Sequence, residues 1–103
     1  MPTLYVTAPP GAAATLARTL VDERLAACVN RVPCRSTYRW DGAVVADDPE
    51  EVLLVKTSDE RVAEAEARIL EAHPYDTPCV ERFAPDAVAD PFAAWIDEAT
   101  SPE

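Results

Sequence analysis

The sequence of 103 residues predicts one α+β domain, residues 1–103, with a ferredoxin-like split βαβ sandwich, a long β-hairpin and an extra C-terminal helix. Asp41-Gly42 lies between two β-rich runs, and an Asp-Gly pair favours a hairpin because both central residues of a type I′ turn need positive φ. Runs with helical spacing of apolar residues lie on either side of this hairpin. The predicted order is therefore β-α-β-β-α-β-α.

The first strand and the first helix are predicted from a change of composition near the N-terminus. A short β-rich run spans residues 3–7, and Pro9-Pro10-Gly11 ends it. Strong helix formers then fill residues 12–27, with Leu16 and Leu20 four positions apart. We predict the first helix over residues 12–27.

The hairpin is predicted over residues 28–57. Its first arm contains Pro33, which marks a bulge or an edge position because proline cannot donate to the ladder. The run Asp47-Asp48-Pro49 is expected to break the second arm, which resumes at residue 51 or 52. Residues 52–55 are apolar at every position, so both faces of this strand should be covered.

The C-terminal half predicts a helix, a strand and a further helix. Thr57 and Glu60 form a capping-box pattern, and Pro74 ends the helix that follows at His73. Residues 79–84 favour a last strand. Asp90-Pro91 is typical of a helix start, and the apolar residues after it have helical spacing.

The predicted sandwich leaves one sheet face bare, because both main helices lie on the other face. Tyr38 and Trp40 add aromatic area two residues apart, on one face of the first arm. An uncovered apolar face in a small domain indicates a partner subunit. We predict a homo-oligomer with Tyr38 and Trp40 in its interface.

The charge of the chain limits its partners. The formal net charge is −10, and the nine basic residues include Lys56 as the only lysine. Such a composition is typical of proteins that work at high salt and also of ordinary acidic cytosolic proteins, and both alternatives stay open. We expect no nucleic-acid partner, because no basic patch could offset this charge globally.

The cysteines and the N-terminus predict a location. Three widely spaced cysteines are a poor disulfide framework and indicate reduced thiols. The first residues show no signal-peptide pattern, and no stretch approaches the ~20 apolar residues of a membrane helix. We expect a cytoplasmic protein with no membrane partner.

Common catalytic motifs are absent from the sequence, including CxxC, HExxH, GxSxG and glycine-rich phosphate loops. His73 is a candidate soft-metal ligand with Cys28 or Cys79, because imidazole and thiolate suit copper and zinc. The structural alternative is a histidine at a helix C-terminus and cysteines packed as small apolar residues. The lack of a second histidine at chelating spacing favours that alternative.

Basic residues offer another candidate site. Arg31, Arg35 and Arg39 are spaced by four and share one face of an unbroken strand. They form either an anion-binding stripe or structural contacts, and the structural alternative is favoured. Those contacts are ion pairs with the surplus carboxylates or a salt-bridged subunit contact. Lys56 is expected to form a structural pair with Asp76 or Glu81.

Motifs throughout the chain together resemble the CutA family of divalent-cation tolerance proteins. They occur in the order and spacing of that family: Thr7-Ala8-Pro9, Leu25-Ala26-Ala27-Cys28-Val29-Asn30, Ser36, Tyr38-Arg39-Trp40, Gly42, Leu54, Lys56-Thr57, His73-Pro74-Tyr75 and Trp95. The resemblance implies a trimer similar in architecture to the PII signalling proteins, with hairpins that reach across to neighbouring subunits. It also implies a non-enzymatic role in tolerance to copper and other divalent cations.

The predicted metal site comprises His73, Cys79 and Cys28, and copper or another divalent cation is the expected metal. Of the family's proposed copper ligands the resemblance leaves His73 alone, with Cys79 as a replacement soft ligand near it, and it implies that Cys28 packs at the base of the hairpin arm. Family members with a proposed copper site carry a cysteine and a histidine where this chain has Val6 and Ala72.

Two alternatives to a metal site remain. The first is a PII-like cleft between subunits, lined by Arg39, Lys56, Tyr75 and Asp76, that binds a small anion or a partner segment. The second is a small hydrolase or isomerase that uses His73 with Asp76, for which the sequence offers no oxyanion site.

Overall fold

A computed structural model describes residues 1–102 and contains four strands and three helices in the predicted order. Their bounds are β1 Thr3–Ala8, α1 Pro10–Asp22, β2 Cys28–Trp40, β3 Ala43–Lys56, α2 Val62–Ala72, β4 Val80–Phe83 and α3 Asp90–Ala99. The strands form one sheet in the order β2-β3-β1-β4, and each neighbouring pair is antiparallel. This arrangement confirms the predicted α+β sandwich.

The core lies between one face of the sheet and the helices α1 and α2. Residues of β1 alternate between buried and half-buried positions, as expected for a strand with one covered face. The buried residues of β1, β3 and both helices form one cluster, which includes Leu4, Val6, Ala8, Leu16, Leu20, Leu53, Val55, Val62, Ala65 and Ile69. No helix in residues 1–102 is long and apolar enough to cross a bilayer.

The hairpin turn follows the sequence prediction. Asp41 and Gly42 have φ values of 51° and 79°, and Trp40 pairs with Ala43 on either side of them. Positive φ at both central residues is the type I′ geometry, whose twist matches that of the flanking strands.

The second arm of the hairpin is continuous, contrary to the predicted break at Asp47-Asp48-Pro49. Ser36 pairs with Asp48 but Tyr38 pairs with Val45, so β3 carries one extra residue between these pairs. Asp47 takes a φ of 56° there, and its amide donates to the Thr37 hydroxyl at 3.3 Å. The three-residue run therefore makes a bulge and not a strand end.

Both prolines of the hairpin lie where only one neighbouring strand is present. Pro33 stays in register opposite Glu51, and β2 is an edge strand. Of the two predicted alternatives for Pro33, a bulge or an edge position, the edge position is therefore the one observed. Pro49 lies in the part of β3 that β1 does not reach, since β1 pairs only with residues 51–56. The part of β3 before residue 51 pairs only with β2, so the hairpin forms a two-stranded arm there. This arm contributes to a longest molecular dimension of 45 Å.

The first helix ends at Asp22 and not at residue 27. Arg24 has a φ of 59°, the Arg24 amide donates to the Val21 carbonyl, and the Leu25 amide donates to the Leu20 carbonyl. This pair of bonds is a Schellman motif, which turns the chain out of the helix. Residues 25–27 are buried beside β3, where the Ala27 amide donates to the Lys56 carbonyl.

The predicted capping box does not form. The Thr57 hydroxyl donates instead to the Leu25 carbonyl at 2.6 Å, and Thr57 is fully buried. The Ser58 carbonyl accepts the amides of Arg61 and Val62 just before α2. Tertiary burial of Thr57 therefore outweighs its local capping preference.

At the third helix, Ala89 and not Asp90 is the N-cap residue. No side chain makes a capping hydrogen bond at the start of α2 or of α3.

The two glycines of the chain provide a matched test of the turn. A Cβ atom added at Gly42 or Gly11 would meet no atom within 4 Å, but only Gly42 has a positive φ. We expect Gly42→Ala to lower the free energy of unfolding by about 1 kcal/mol. Gly11→Ala, in the first turn of α1, should raise it by about 0.5 kcal/mol. Urea denaturation at one protein concentration measures both, and equal signs would contradict the strain assigned to Gly42.

Candidate ligand-binding cleft

The sheet face opposite the helices carries several large apolar side chains. The registers of the three strand pairs place them on one side, which we call the open face: Tyr5, Val32, Tyr38, Trp40, Val52, Leu54 and Phe83. Tyr5 and Phe83 contact each other with ring centroids 5.9 Å apart. Tyr38 and Trp40 extend this face along the arm and are 38% and 57% exposed.

A cleft of about 430 Å³ opens where the arm leaves the sheet. Its walls include the rings of Tyr38, Trp40 and Tyr75, the carboxylates of Glu50 and Asp76, and the thiol of Cys79. Three hydroxyl side chains complete it: Thr7, Ser36 and Thr77. The cleft therefore joins β1, both hairpin strands and the segment after α2 within one chain.

Two tyrosine–carboxylate pairs shape the cleft. The Tyr75 hydroxyl donates to Glu50 Oε2 at 3.0 Å, and the Tyr38 hydroxyl donates to Asp48 Oδ2 at 2.9 Å. Burial, followed by the hydrogen bond to Glu50, raises the pKa of Tyr75 to about 12. The hydrogen bond to Asp48, followed by burial, raises the pKa of Tyr38. Both phenols are therefore neutral donors at neutral pH, and their rings are fixed at the hydroxyl end.

His73 is buried, and both of its ring nitrogens are in hydrogen bonds. Nε2 lies 2.8 Å from the Thr7 carbonyl, and Nδ1 accepts the Tyr75 amide at 3.1 Å. A carbonyl cannot donate, so the ring carries its proton on Nε2. This contact ties the end of α2 to β1 and positions Tyr75 at the cleft. The position of His73 at the C-cap of α2 agrees with the structural alternative, but its contacts to Thr7 and Tyr75 were not predicted.

The two cysteines of the predicted metal set lie at different ends of the sheet. Cys28 pairs with Lys56, which pairs with Thr3, whereas Cys79 lies near Thr7. Four residues along β1 separate these ends by about 13 Å. Burial raises the pKa of the Cys28 thiol against the opposing charge of Lys56. Burial, followed by a hydrogen bond to Glu81, raises the pKa of Cys79.

His73, Cys79 and Cys28 are therefore not brought together within one chain. Among residues 1–102, no group of three or more histidine, cysteine, aspartate or glutamate side chains is placed to hold a metal ion. Their assignment as metal ligands stays a prediction.

The predicted subunit cleft is only half assembled in one chain. Tyr75 and Asp76 line the observed cleft, but Arg39 and Lys56 do not. Lys56 donates to Asn30 Oδ1 at 2.7 Å and not to Asp76 or Glu81. Arg39 pairs with Val44 near the hairpin turn, in the exposed part of the arm. The joint cleft of all four residues stays a prediction.

Glu50 is the charged cleft residue that was not predicted from the sequence, and Thr7, Ser36 and Thr77 were also not predicted as site residues. Glu50 is 6% exposed, and it shares the open face with Val52 and Leu54 because it lies two residues before Val52. The signal available in the sequence was a carboxylate on the same side of the strand as the apolar residues Val52 and Leu54.

Arg31, from the predicted arginine stripe, forms an ion pair with Glu51 at 2.7 Å, as the structural alternative expected.

A sequence model for the family described as "CutA1 divalent ion tolerance protein" matches residues 3–99. The chain belongs to this family. The match confirms the resemblance and covers every element of the fold.

Curated relatives from several organisms support the assignment to the CutA family. The divalent-cation tolerance protein CutA of Archaeoglobus fulgidus is 36% identical over 96 residues, covering 92% of this chain and 93% of its own. The protein of the same name from Thermus thermophilus is 51% identical over 67 residues, covering 64% of each chain.

Solved CutA structures share the fold. The PII-like protein CutA from Nostoc sp. superposes with a TM-score of 0.93 at 30% identity over all of both chains. CutA1 from Pyrococcus horikoshii gives 0.92 at 34% identity, covering 98% of this chain and 99% of its own.

Replacement of His73 tests its structural role. We expect His73→Ala to lower the free energy of unfolding by about 2 kcal/mol, because the part-buried Thr7 carbonyl and Tyr75 amide both lose their partner. Glu71→Ala, two residues earlier on the exposed surface of α2, is the matched control and should change it by less than about 0.5 kcal/mol. Chemical denaturation measures both, and equal stability of the two variants would contradict this role.

Proposed function

We propose that this CutA protein works as a non-enzymatic homotrimer in divalent-cation tolerance and takes up its cation at the cleft. The observation that carries the proposal is the position of the cleft at the edge of the open face. A second chain that covers the open face also closes the cleft, so assembly and binding are coupled.

The donors of the cleft suit a cation. Glu50 and Asp76 supply carboxylate oxygen, and Cys79 supplies sulfur. Oxygen donors favour hard ions such as Mn²⁺, and a thiolate favours copper. The set predicted from sequence does not fit a metal within one chain, because both nitrogens of His73 are already bonded and Cys28 lies at the far end of the sheet. We infer that a neighbouring chain supplies the remaining donors.

A non-enzymatic role is supported by the state of the candidate catalytic groups. His73 bonds to Thr7 and Tyr75 and has no hydrogen bond to Asp76. The raised pKa of Cys79 keeps its thiol protonated at neutral pH, which makes it a poor nucleophile. Neither arrangement resembles an activated nucleophile with a base.

We infer a cytoplasmic location from the cysteines. Cys28, Cys34 and Cys79 are free thiols, which are typical of a reducing compartment. Relatives differ on this point, since the structure of the A. fulgidus protein is described as periplasmic and the Arabidopsis thaliana relative as chloroplastic.

A small-ligand module similar to PII proteins is the second candidate function. It is favoured by the volume of the cleft, about 430 Å³, which lies within the range of small-molecule pockets, roughly 300–1,000 Å³. The Nostoc relative is described as PII-like.

The oligomer is tested by its mass. We expect light scattering to give three times the 11.2 kDa chain mass. Leu54→Glu places a charge in the middle of the open face, outside the cleft, and should shift the mass to that of one chain. Leu70→Glu changes an exposed leucine on α2, outside the open face, and should leave the trimer intact. Circular dichroism must show folded protein in both variants, and a trimeric, folded Leu54→Glu protein would contradict the interface.

The metal site is tested with the same pair of variants. Titration calorimetry with Cu²⁺ and with Mn²⁺ should show binding to the trimer that weakens about tenfold or more in Leu54→Glu and not in Leu70→Glu, because the neighbouring donors are lost. In the trimer, Cys79→Ser should weaken Cu²⁺ binding and spare Mn²⁺ binding, since the hydroxyl is a harder donor than the thiol. Equal metal affinity of trimer and single chain would place the site inside one chain.

A further inference from the structure

Three aromatic rings in the cleft have no part in metal binding. Tyr38, Trp40 and Tyr75 line it, and 37% or more of each residue remains exposed. Metal ions in proteins gain their affinity from oxygen, nitrogen and sulfur donors. In the proposed trimer a neighbouring chain covers part of the open face, and any ring surface that it leaves uncovered in the cleft can contact a ligand that has an apolar surface.

Two of the rings are held in place by their hydroxyl groups. The hydrogen bonds from Tyr75 to Glu50 and from Tyr38 to Asp48 fix the polar end of each phenol at a hairpin carboxylate. His73 contacts the Tyr75 ring from the side, with centroids 4.9 Å apart. A ring fixed in this way costs less entropy when a ligand binds. The faces of aromatic rings carry partial negative charge and attract cations.

The charge of the cleft also favours a cationic ligand. Glu50 and Asp76 are its charged lining residues, and no arginine or lysine in the described chain lines it. The chain as a whole carries −10. The part of the cleft that one chain provides therefore repels a small anion, the ligand class expected from the predicted arginine and lysine lining.

We propose that the cleft binds an organic ammonium cation of the quaternary or methylated amine class. Its methyl groups pack on Tyr38, Trp40 and Tyr75, and its charge is balanced by Glu50 and Asp76. Aromatic side chains around a quaternary ammonium, with a carboxylate nearby, are the usual chemistry of such recognition. The inference names the ligand class of the small-ligand candidate and rests on that second candidate, not on the metal site.

The first test compares choline with 3,3-dimethyl-1-butanol, a neutral molecule of the same shape. The native oligomer carrying Trp95→Phe is used, because Trp40 is then the only tryptophan and reports on the cleft by fluorescence. We expect the Kd for choline to be about tenfold lower than that for the neutral molecule. Equal affinities would overturn the proposal, because shape and apolar contact alone would then explain binding.

The second test removes the aromatic and the acidic contributions separately. In calorimetry, Trp40→Leu and Glu50→Gln should each weaken choline binding by about fivefold and leave binding of 3,3-dimethyl-1-butanol within about twofold. Trp95→Phe, on α3 outside the cleft, is the matched control and should bind choline like the wild type. Unchanged choline affinity in Trp40→Leu would place the ligand elsewhere.

The outcomes for this inference and for the metal role are separable. Absence of choline binding to a protein of confirmed trimeric mass overturns the inference. Cu²⁺ or Mn²⁺ binding in that case remains measurable and still supports the metal role. Choline binding without Cu²⁺ or Mn²⁺ binding supports the inference and contradicts the metal role.

Discussion

The structure depends on a mismatch in length between two paired strands. β1 has six residues and β3 has fourteen, so β1 covers β3 only from residue 51 to residue 56. The rest of β3 has β2 as its single neighbour, and the pair leaves the sheet as an arm. Both main helices bury one sheet face, while the arm lengthens the other. The open face and the cleft at the base of the arm both follow from this mismatch.

The cleft is built by polar contacts that link segments far apart in the chain. His73 joins the end of α2 to β1, and the amide of Tyr75 is held by the same ring. Tyr75 then reaches Glu50 on β3. A buried carboxylate on an apolar strand face is stable there because a neutral phenol donates to it. The cost of burying Glu50 is thus offset by the residues that shape the cleft.

Local signals predicted the fold well where no tertiary contact competed with them. Asp41-Gly42 adopts the predicted turn, and Pro33 lies on an edge strand. Thr57 was mispredicted because its hydroxyl is used by the Leu25 carbonyl, a contact between residues 32 positions apart. The end of the first helix was mispredicted because Arg24 takes a left-handed conformation, which is uncommon for a residue other than glycine.

The candidate site was predictable in part. Tyr38, Trp40, Tyr75 and Asp76 were expected at a ligand site or an interface, and they meet in one cleft. The predicted pair of Lys56 with Asp76 or Glu81 was wrong, because strand register, which the sequence does not specify, sets Lys56 beside Asn30 at the far end of the sheet.

The bulge at Asp47 divides β3 into two halves with opposite alternation. Before the bulge, Val45 and Ala43 lie on the face of Tyr38 and Trp40, whereas after it the even-numbered residues Glu50, Val52 and Leu54 take that face. The bulge therefore shifts by one residue the alternation that decides which side chains of the strand lie on the open face. Sequences of this strand can be compared correctly only if the two halves are aligned independently on either side of that position. The tip of the arm can thus change its pattern without any effect on the pattern that builds the core.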